Sequence, residues 1–251
     1  MVTLPVDKIG KDYVPYTKTN TFSSKGRATR IMGIKTGRIH HLQSDNQYRA
    51  FLYFEWADKV IDIRESYPLL DIMEVIDNKE DLRFDKFKDK EKDKQFILTT
   101  NFLLTVDKGN GDLEYVARTV KNTSELSRAI TAEKLEIERR YWEAKGIEWK
   151  IITEKELDRQ YVKNIEFIRE TLLQSQYQEQ ELQEMGNKLV LVLMNSAEQS
   201  LKQTLKEYER ILNLNEGAGL FVFRYLVAKK KVHLDMFKKF EIAKRVNEIL
   251  V

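Results

Sequence analysis

The chain has 251 residues, 42% of them hydrophobic and 10% aromatic, which suffices for one large domain or two modest ones. It contains no cysteine, which excludes disulfides and thiolate metal sites, and no apolar run approaches the roughly 20 residues of a membrane helix. The first residues lack the basic and apolar regions of a signal peptide, so we expect a soluble, cytoplasmic protein with no membrane contact.

Positive charge is concentrated at the two ends of the chain. The 43 Lys and Arg nearly balance the 40 Asp and Glu, yet residues 1–40 carry a net charge of +6 and residues 217–251 one of +5. Two basic ends could follow a phosphate backbone, and a merely solvated surface is the alternative. The candidate DNA contacts are Arg27, Arg30, Lys35 and Arg38 near one end and Lys229, Lys230 and Lys231 near the other.

The first 40 residues predict a basic N-terminal arm. They are polar, with scattered Pro and Gly, and lead to a turn at 35–38. A helix is predicted to begin at Ser44, which forms a capping-box pattern with Gln47. Its buried face is marked by apolar residues at helical spacing, namely Tyr48, Phe51, Leu52 and Trp56.

The next part of the chain predicts strands. Residues 60–65 predict a strand, whereas residues 77–95 mix acidic and basic side chains and predict a solvated loop or a ragged helix. A strand buried on both faces is predicted over 95–106. The Gly-Asn-Gly turn within 108–111 leads into a further strand over 113–121.

A long helix is predicted over about 124–145, ended by Gly146 and followed by a strand over 147–152. Its inward-facing residues are expected to be Leu126, Ile130, Leu135, Tyr141 and Trp142. The order helix, strand, hairpin, helix, strand predicts an α/β layer with a mixed sheet flanked by helices.

The remaining residues predict helices and one short β-like segment at 231–234, which suits a winged-helix-like module. The expected helices cover 162–174, 189–212, 221–228 and 237–250. We therefore predict a basic arm over 1–40, an α/β domain over 41–165 and a mainly helical, winged-helix-like domain over 166–251.

The third predicted strand ends in a pattern typical of metal-dependent nucleases. Such enzymes hold Mg²⁺ with carboxylates on a helix and a strand, and a Lys on a later strand offsets the charge that develops at the phosphate. Here Thr119 and Lys121 point to one side of that strand. A Lys at a strand end is common, so this pattern leaves a purely structural explanation open.

Six segments of the chain, in the order that follows, carry a more specific signal: GKDYVP at 10–15, KTGR at 35–38, HHLQSD at 40–45, FEW at 54–56, DIRESYPLL at 62–70 and KLEIERRYW at 134–142. Together they resemble the TnsA family of transposase subunits over residues 10–170. The resemblance implies a restriction-endonuclease-like fold, a bacterial host and a Mg²⁺-dependent endonuclease that cuts the 5′, non-transferred strands at transposon ends. It implies three partners: transposon-end DNA, a TnsB-like DDE transposase that cuts and joins the 3′ ends, and a TnsC-like ATPase.

The resemblance also implies site residues. The helix Glu of the family falls at Gln47, its strand Asp at Asn101, and its Gln-Val-Lys at Thr119, Val120 and Lys121, with the Val120 backbone as a further metal ligand. Only Lys121 keeps the expected residue type. Gln and Asn preserve the shape of Glu and Asp but carry no charge, so most of the attraction for Mg²⁺ is lost. We therefore expect a chain that does not cleave DNA.

Several alternatives stay open at this point. The two exchanges fit deliberate inactivation as well as natural degeneration. A non-catalytic adaptor that bridges TnsB and TnsC, or a stand-alone nuclease, could use the same fold. His40 and His41 could contact phosphate or serve the fold. The carboxylates that could replace the missing ligands are Asp45, Glu65, Asp107 and Glu114.

Overall fold

The computed structural model describes residues 8–19, 27–89, 94–173 and 175–251. The chain divides into two compact units, between Leu157 and Asp158. The boundary predicted at 165/166 falls inside a helix, Arg159–Arg169, that belongs wholly to the second unit.

A β-hairpin stands where the later part of an extended arm was predicted. Strands β1 (Thr29–Met32) and β2 (Ile39–Leu42) pair antiparallel, and Gly37 occupies the left-handed region at φ 66° in the turn between them. Residues 1–7 and 20–26 of the predicted arm lie outside the described residues. The turn predicted at 35–38 therefore closes a hairpin.

Helix α1 (Asp45–Trp56) begins as predicted. The Ser44 hydroxyl accepts a hydrogen bond from the backbone N–H of Gln47 at 3.2 Å. The reciprocal half of the predicted capping box is absent, because the Gln47 side chain accepts from the backbone N–H of Gln43 instead. Strand β3 (Val60–Pro68) then runs past the predicted end at residue 65.

The segment after β3 holds more core than its charge suggests. It contains helix α2 (Ile72–Val75), a 3₁₀ turn over Phe84–Phe87, and the short paired strands β4 (Lys88–Asp89) and β5 (Lys94–Gln95). Ile76 and Leu82 are buried in an apolar cluster of the first unit. Residues 77–95 were predicted to be wholly solvated, which is wrong at Leu82. Ile76, directly before this segment, is also buried.

A four-stranded mixed sheet forms the centre of the first unit, as predicted. Strands β6 (Thr99–Gly109) and β7 (Asp112–Val120) form the predicted hairpin, whose Asn110 and Gly111 both have positive φ. Together with β8 (Glu148–Ile152) they give the order β3-β6-β7-β8. Only the β7–β8 pair of this sheet is parallel, so Val120 lies opposite Ile152.

The long helix predicted over 124–145 is interrupted. Helix α3 (Thr123–Leu126) ends first, and an extended Arg128 precedes α4 (Ala129–Ala144). The break changes the helical phase, so Ile130 is 48% exposed although it was predicted to face inward. Tyr141 and Trp142 are buried as predicted.

The second unit is mainly helical. Its helices are α5 (Arg159–Arg169), α6 (Glu179–Asn195), α7 (Leu201–Ile211), α8 (Ala218–Ala228) and α9 (Val246–Ile249). The helix predicted over 189–212 is thus two helices, and of the one predicted over 237–250 only a single turn forms. The predicted β-like segment contributes one bridge, from Leu234 to Leu250.

Hydrogen bonds from other elements explain the missing helix near the C-terminus. The Asn164 amide donates to the carbonyl oxygens of Met236 and Lys238, at 2.8 Å each. The carbonyl of Lys244 accepts from the backbone N–H of Leu201 at 2.9 Å. Carbonyls engaged in this way are unavailable to a helix. Among the helices that the structure describes, none combines the length and the apolar character needed to cross a membrane.

Candidate active site

Three elements bring the predicted site residues together. Gln47 lies in the first turn of α1, Asn101 on β6, and Lys121 just after β7. Gln47 and Lys121 line a cleft of about 290 Å³. The Asn101 side chain accepts a hydrogen bond from the backbone N–H of Val120, which lines the same cleft. The structure therefore places Gln47 and Lys121 at one cleft and connects Asn101 to it through Val120.

Both amides are oriented by the backbone. Asn101 Oδ1 accepts from the N–H of Val120 at 2.7 Å, and Gln47 Oε1 accepts from the N–H of Gln43 at 2.8 Å. A backbone N–H can only donate, so the side-chain atom that faces it must be the oxygen. The NH₂ groups of Gln47 and Asn101 consequently point away from these backbone contacts.

Lys121 keeps the position expected of the family lysine. Its backbone N–H donates to the carbonyl of Ile152 at 3.0 Å, which fixes the end of β7 against β8. Burial lowers the pKa of the Lys121 ammonium, and Lys134 lowers it further, while Glu125 and Glu138 oppose the shift. The side chain has no ion pair with any residue in the described ranges.

Thr119 faces a buried polar network instead of the open cleft. Its hydroxyl donates to Glu138 and accepts from the indole N–H of Trp149 at 3.0 Å. Glu138 is fully buried and also accepts from Thr100 at 3.1 Å, while its second carboxylate oxygen lies 3.5 Å from the Lys134 ammonium. Thr119 therefore holds a buried carboxylate beside the site.

Sequence reasoning missed Glu138, although a signal was present. The residue lies on the inward face of α4, three positions after Leu135 and four before Trp142, both of which are buried. A charged side chain within an apolar stripe of that spacing needs polar partners inside the protein. Thr100 and Thr119 supply them.

The residues at the cleft do not fit Mg²⁺. This ion prefers several carboxylate or other oxygen ligands in an octahedral arrangement. The oxygens of Gln47 and Asn101 already accept from backbone N–H groups, and the only carboxylate lining the cleft, Glu125, accepts from the N–H of Asn122 at 3.1 Å. Across the described part of the chain, no three His, Asp or Glu side chains group in a way that could hold a metal ion.

Four carboxylates could in principle replace the missing metal ligands. Each of them either binds another group of the protein or lies outside the cleft. Glu65 is buried between basic groups. Asp107 accepts from the N–H of Gly109 at 2.7 Å, and Glu114 pairs with Lys108 at 2.9 Å near the closed end of the β6–β7 hairpin. Asp45 is exposed and does not line the cleft.

The predicted N-terminal DNA contacts separate into two groups. Arg27 and Arg30 are exposed. Arg38 is buried and binds both carboxylate oxygens of Glu65, at 2.9 and 2.6 Å, and Lys35 donates to two backbone carbonyls near the end of α1. Arg38 is therefore committed to the fold, which corrects its proposed contact with DNA.

The two histidines before α1 are also accounted for by the fold. His40 is fully buried and contacts Glu65 at 2.8 Å and the Thr36 hydroxyl at 2.7 Å. His41 is half-buried, and its Nδ1 accepts from the backbone N–H of Thr19 at 3.3 Å. Both contacts support the structural interpretation of these residues.

The C-terminal basic cluster follows the end of α8. Lys229 pairs with Glu179 at 3.0 Å and lies over the ring of Tyr225. Lys230 adopts a positive φ of 55° in the turn that ends the helix, and Lys231 is exposed. Of the two exposed lysines, Lys229 is thus engaged by Glu179, whereas Lys231 has no ion pair with any described residue.

Comparison with known families assigns the class of protein. A family described as "TnsA-like endonuclease N terminal" matches residues 57–154, and one described as "TnsA endonuclease C terminal" matches residues 156–236. These matches, together with the mixed sheet, place the chain in a class of TnsA-like endonuclease families. The two matches also meet close to the division between the compact units.

A curated relative narrows the class to one family. The chain is 33% identical over 238 residues to the transposon Tn7 transposition protein TnsA of Escherichia coli, and the match covers 94% of this chain and 84% of the relative. The chain belongs to the TnsA family.

Proposed function

We propose that this chain occupies the endonuclease position of a cut-and-paste transposase at transposon ends and does not itself cut DNA. One observation carries the proposal: the two positions expected to bear ligand carboxylates hold Gln47 and Asn101, in an otherwise assembled site. Without anionic ligands the cleft loses the attraction that retains Mg²⁺. Relatives that carry Glu and Asp at these positions are proposed to be Mg²⁺-dependent nucleases specific for the 5′ strands.

The proposed partners follow from the family. A TnsB-like DDE transposase would cut and join the 3′ ends, and a TnsC-like ATPase would contact the same assembly. Because a non-cutting subunit can still hold DNA and partners in place, an adaptor role between these two proteins is the function that the amides favour. The proposed setting is the bacterial cytoplasm.

Strand-specific cleavage tests the proposal. The chain is incubated with the TnsB-like and TnsC-like proteins, end DNA labelled on the 5′ strand, and Mg²⁺. We expect assembly on the DNA without nicking of the labelled strand. Gln47→Glu combined with Asn101→Asp is expected to restore nicking, and neither change alone should do so, because Lys121 and the frame around it are intact. Nicking by the unaltered chain would contradict the proposal.

A further inference from the structure

We infer that the cleft between α1 and the end of β7 binds a DNA phosphate directly through N–H donors, without a bridging metal ion. The inference rests on the proposed function, since it takes DNA as the ligand, and it specifies how the altered site would hold it. The exchange of carboxylates for amides then converts a cation site into an anion site.

The first support is the direction of the two amides. The backbone N–H groups of Gln43 and Val120 engage the side-chain oxygens of Gln47 and Asn101. Each side chain also presents its NH₂ group, with two donors. Neither NH₂ group has a hydrogen-bond partner among the described residues. A phosphate oxygen accepts from such donors, whereas a cation is repelled by them.

The second support is an additional donor at the same place. Gln43 lines the cleft, and its side-chain nitrogen is buried with no partner in the part of the chain that the structure describes. A buried donor without an acceptor is unfavourable, because it has lost its water and gained no partner. An acceptor supplied by a ligand would remove this cost, so Gln43 itself indicates a ligand that carries oxygen atoms.

The charges in the cleft are compatible with a phosphodiester. Lys121 supplies a half-buried ammonium, and Glu125 is the opposing carboxylate. One oxygen of Glu125 is held by the N–H of Asn122 at the start of α3. The residues that line the cleft therefore supply one cation, Lys121, and one carboxylate, Glu125, and their other polar side chains are neutral. Its volume of about 290 Å³ accommodates one phosphate group with its ester oxygens.

Metal dependence of DNA binding distinguishes the two kinds of site. Binding of a fluorescein-labelled DNA duplex to the full-length chain is followed by anisotropy in EDTA and in Mg²⁺ at matched ionic strength. We expect the unaltered chain to bind equally well in both buffers. The variant with Gln47→Glu and Asn101→Asp should bind about tenfold more weakly in EDTA, because two carboxylates now face the phosphate, and should recover in Mg²⁺.

A matched control places two new carboxylates elsewhere on the same unit. Asn78→Asp with Asn110→Asp changes the net charge equally at two exposed residues outside the cleft, and should alter binding little in either buffer. Circular dichroism confirms that each variant is folded, and the two single cleft variants should show intermediate losses of affinity.

Three results would overturn the inference. Equal binding of the chain and the cleft variant in EDTA would show that the amides do not contact DNA. Tighter binding of the unaltered chain in Mg²⁺ would show a cation held through Glu125. Absence of DNA binding in both buffers would remove the proposed function as well, so failure of the function is separable from failure of the inference.

Discussion

Glu65 secures the N-terminal hairpin to the central sheet. It is 1% exposed and accepts hydrogen bonds from Arg38, His40 and the backbone N–H of His41. Burial alone would raise the pKa of Glu65, but the hydrogen bonds from His40 and Arg38 outweigh it and lower the pKa to about 2. A charged carboxylate is therefore an integral part of this interior.

Replacing this carboxylate should destabilise the protein. Glu65→Gln leaves the Arg38 guanidinium buried without its counter-charge, so the free energy of unfolding should fall by about 3–5 kcal/mol at pH 7. Urea denaturation followed by circular dichroism measures the change. Glu80→Gln, at an exposed position, is the control and should shift the free energy by less than about 0.5 kcal/mol.

The same residue gives a pH dependence of known sign. The pKa of Glu65 is lowered from 4.5 to about 2, so its contribution to stability is complete above pH 4.5 and is lost as the pH falls towards 2. The difference in unfolding free energy between the unaltered chain and Glu65→Gln should therefore shrink below pH 4.5. A difference that stays constant down to about pH 3 would show that Glu65 stabilises by packing and not by charge.

At the level of single residues, the sequence predicted which residues lie at the cleft better than it predicted which charged residues are buried. The family pattern located Gln47 and Lys121 at one cleft. It could not show that Arg38 is buried. An Arg in a basic segment is a candidate DNA contact on sequence grounds, and the sequence does not show that a carboxylate lies beside it in the fold. Its partner Glu65 lies on β3, 27 residues further along the chain, and only the packing of the β1–β2 hairpin against β3 brings the two together.

Helices α7 and α8 approach each other closely at a glycine. A Cβ atom at Gly219 would lie 3.0 Å from the backbone carbonyl oxygen of Leu205 and 3.2 Å from Glu209. Gly219→Ala should lower the melting temperature, because the backbone of α7 can shift only at a cost of about 1–3 kcal/mol. Thermal denaturation followed by circular dichroism measures it.

Gly186 provides the matched comparison on α6. A Cβ there would meet the end of the Leu226 side chain, at 2.9 Å, and no backbone atom. A side-chain end can rotate away, and Ala gains about 1 kcal/mol over Gly inside a helix. Gly186→Ala should therefore be close to neutral. Equal decreases in melting temperature for the two variants would contradict the packing argument for Gly219.

Among elements, local signals decided which predictions succeeded. The β6–β7 hairpin follows from Asn110 and Gly111 flanked by apolar runs. The helix expected over 237–250 had suitable spacing, but Asn164 and Leu201, both far away in the sequence, take up backbone carbonyls at its start and near its middle. Periodicity describes what a segment could form alone and does not include such competition.

Over the whole molecule, the two basic ends lead to a prediction about how DNA binding depends on salt concentration. Arg27→Glu with Arg30→Glu, and separately Lys231→Glu, should weaken DNA binding. The slope of log K against log salt concentration, where K is the association constant for DNA, should become shallower by about 0.9 for each phosphate that the variant no longer neutralises. Preference among DNA sequences should change little, since phosphate contacts carry no base information. Anisotropy titrations at several salt concentrations measure both effects.

The control for this prediction reverses charges outside the basic ends. Lys202→Glu and Lys206→Glu alter exposed residues of α7. A salt slope that changes as much with these variants as with the arginine pair would show only a loss of general positive charge. An unchanged slope after reversal at both ends would show that these residues are solvated surface.

The backbone contacts of Gln47 and Asn101 have an evolutionary consequence. The N–H groups of Gln43 and Val120 can donate to an acid oxygen as well as to an amide oxygen, so the folded frame is nearly indifferent to which one is present. Exchange of acid for amide should therefore change the stability of the folded protein little. In a lineage where a partner takes over cleavage, this architecture can lose its chemistry by two small steps and keep its shape.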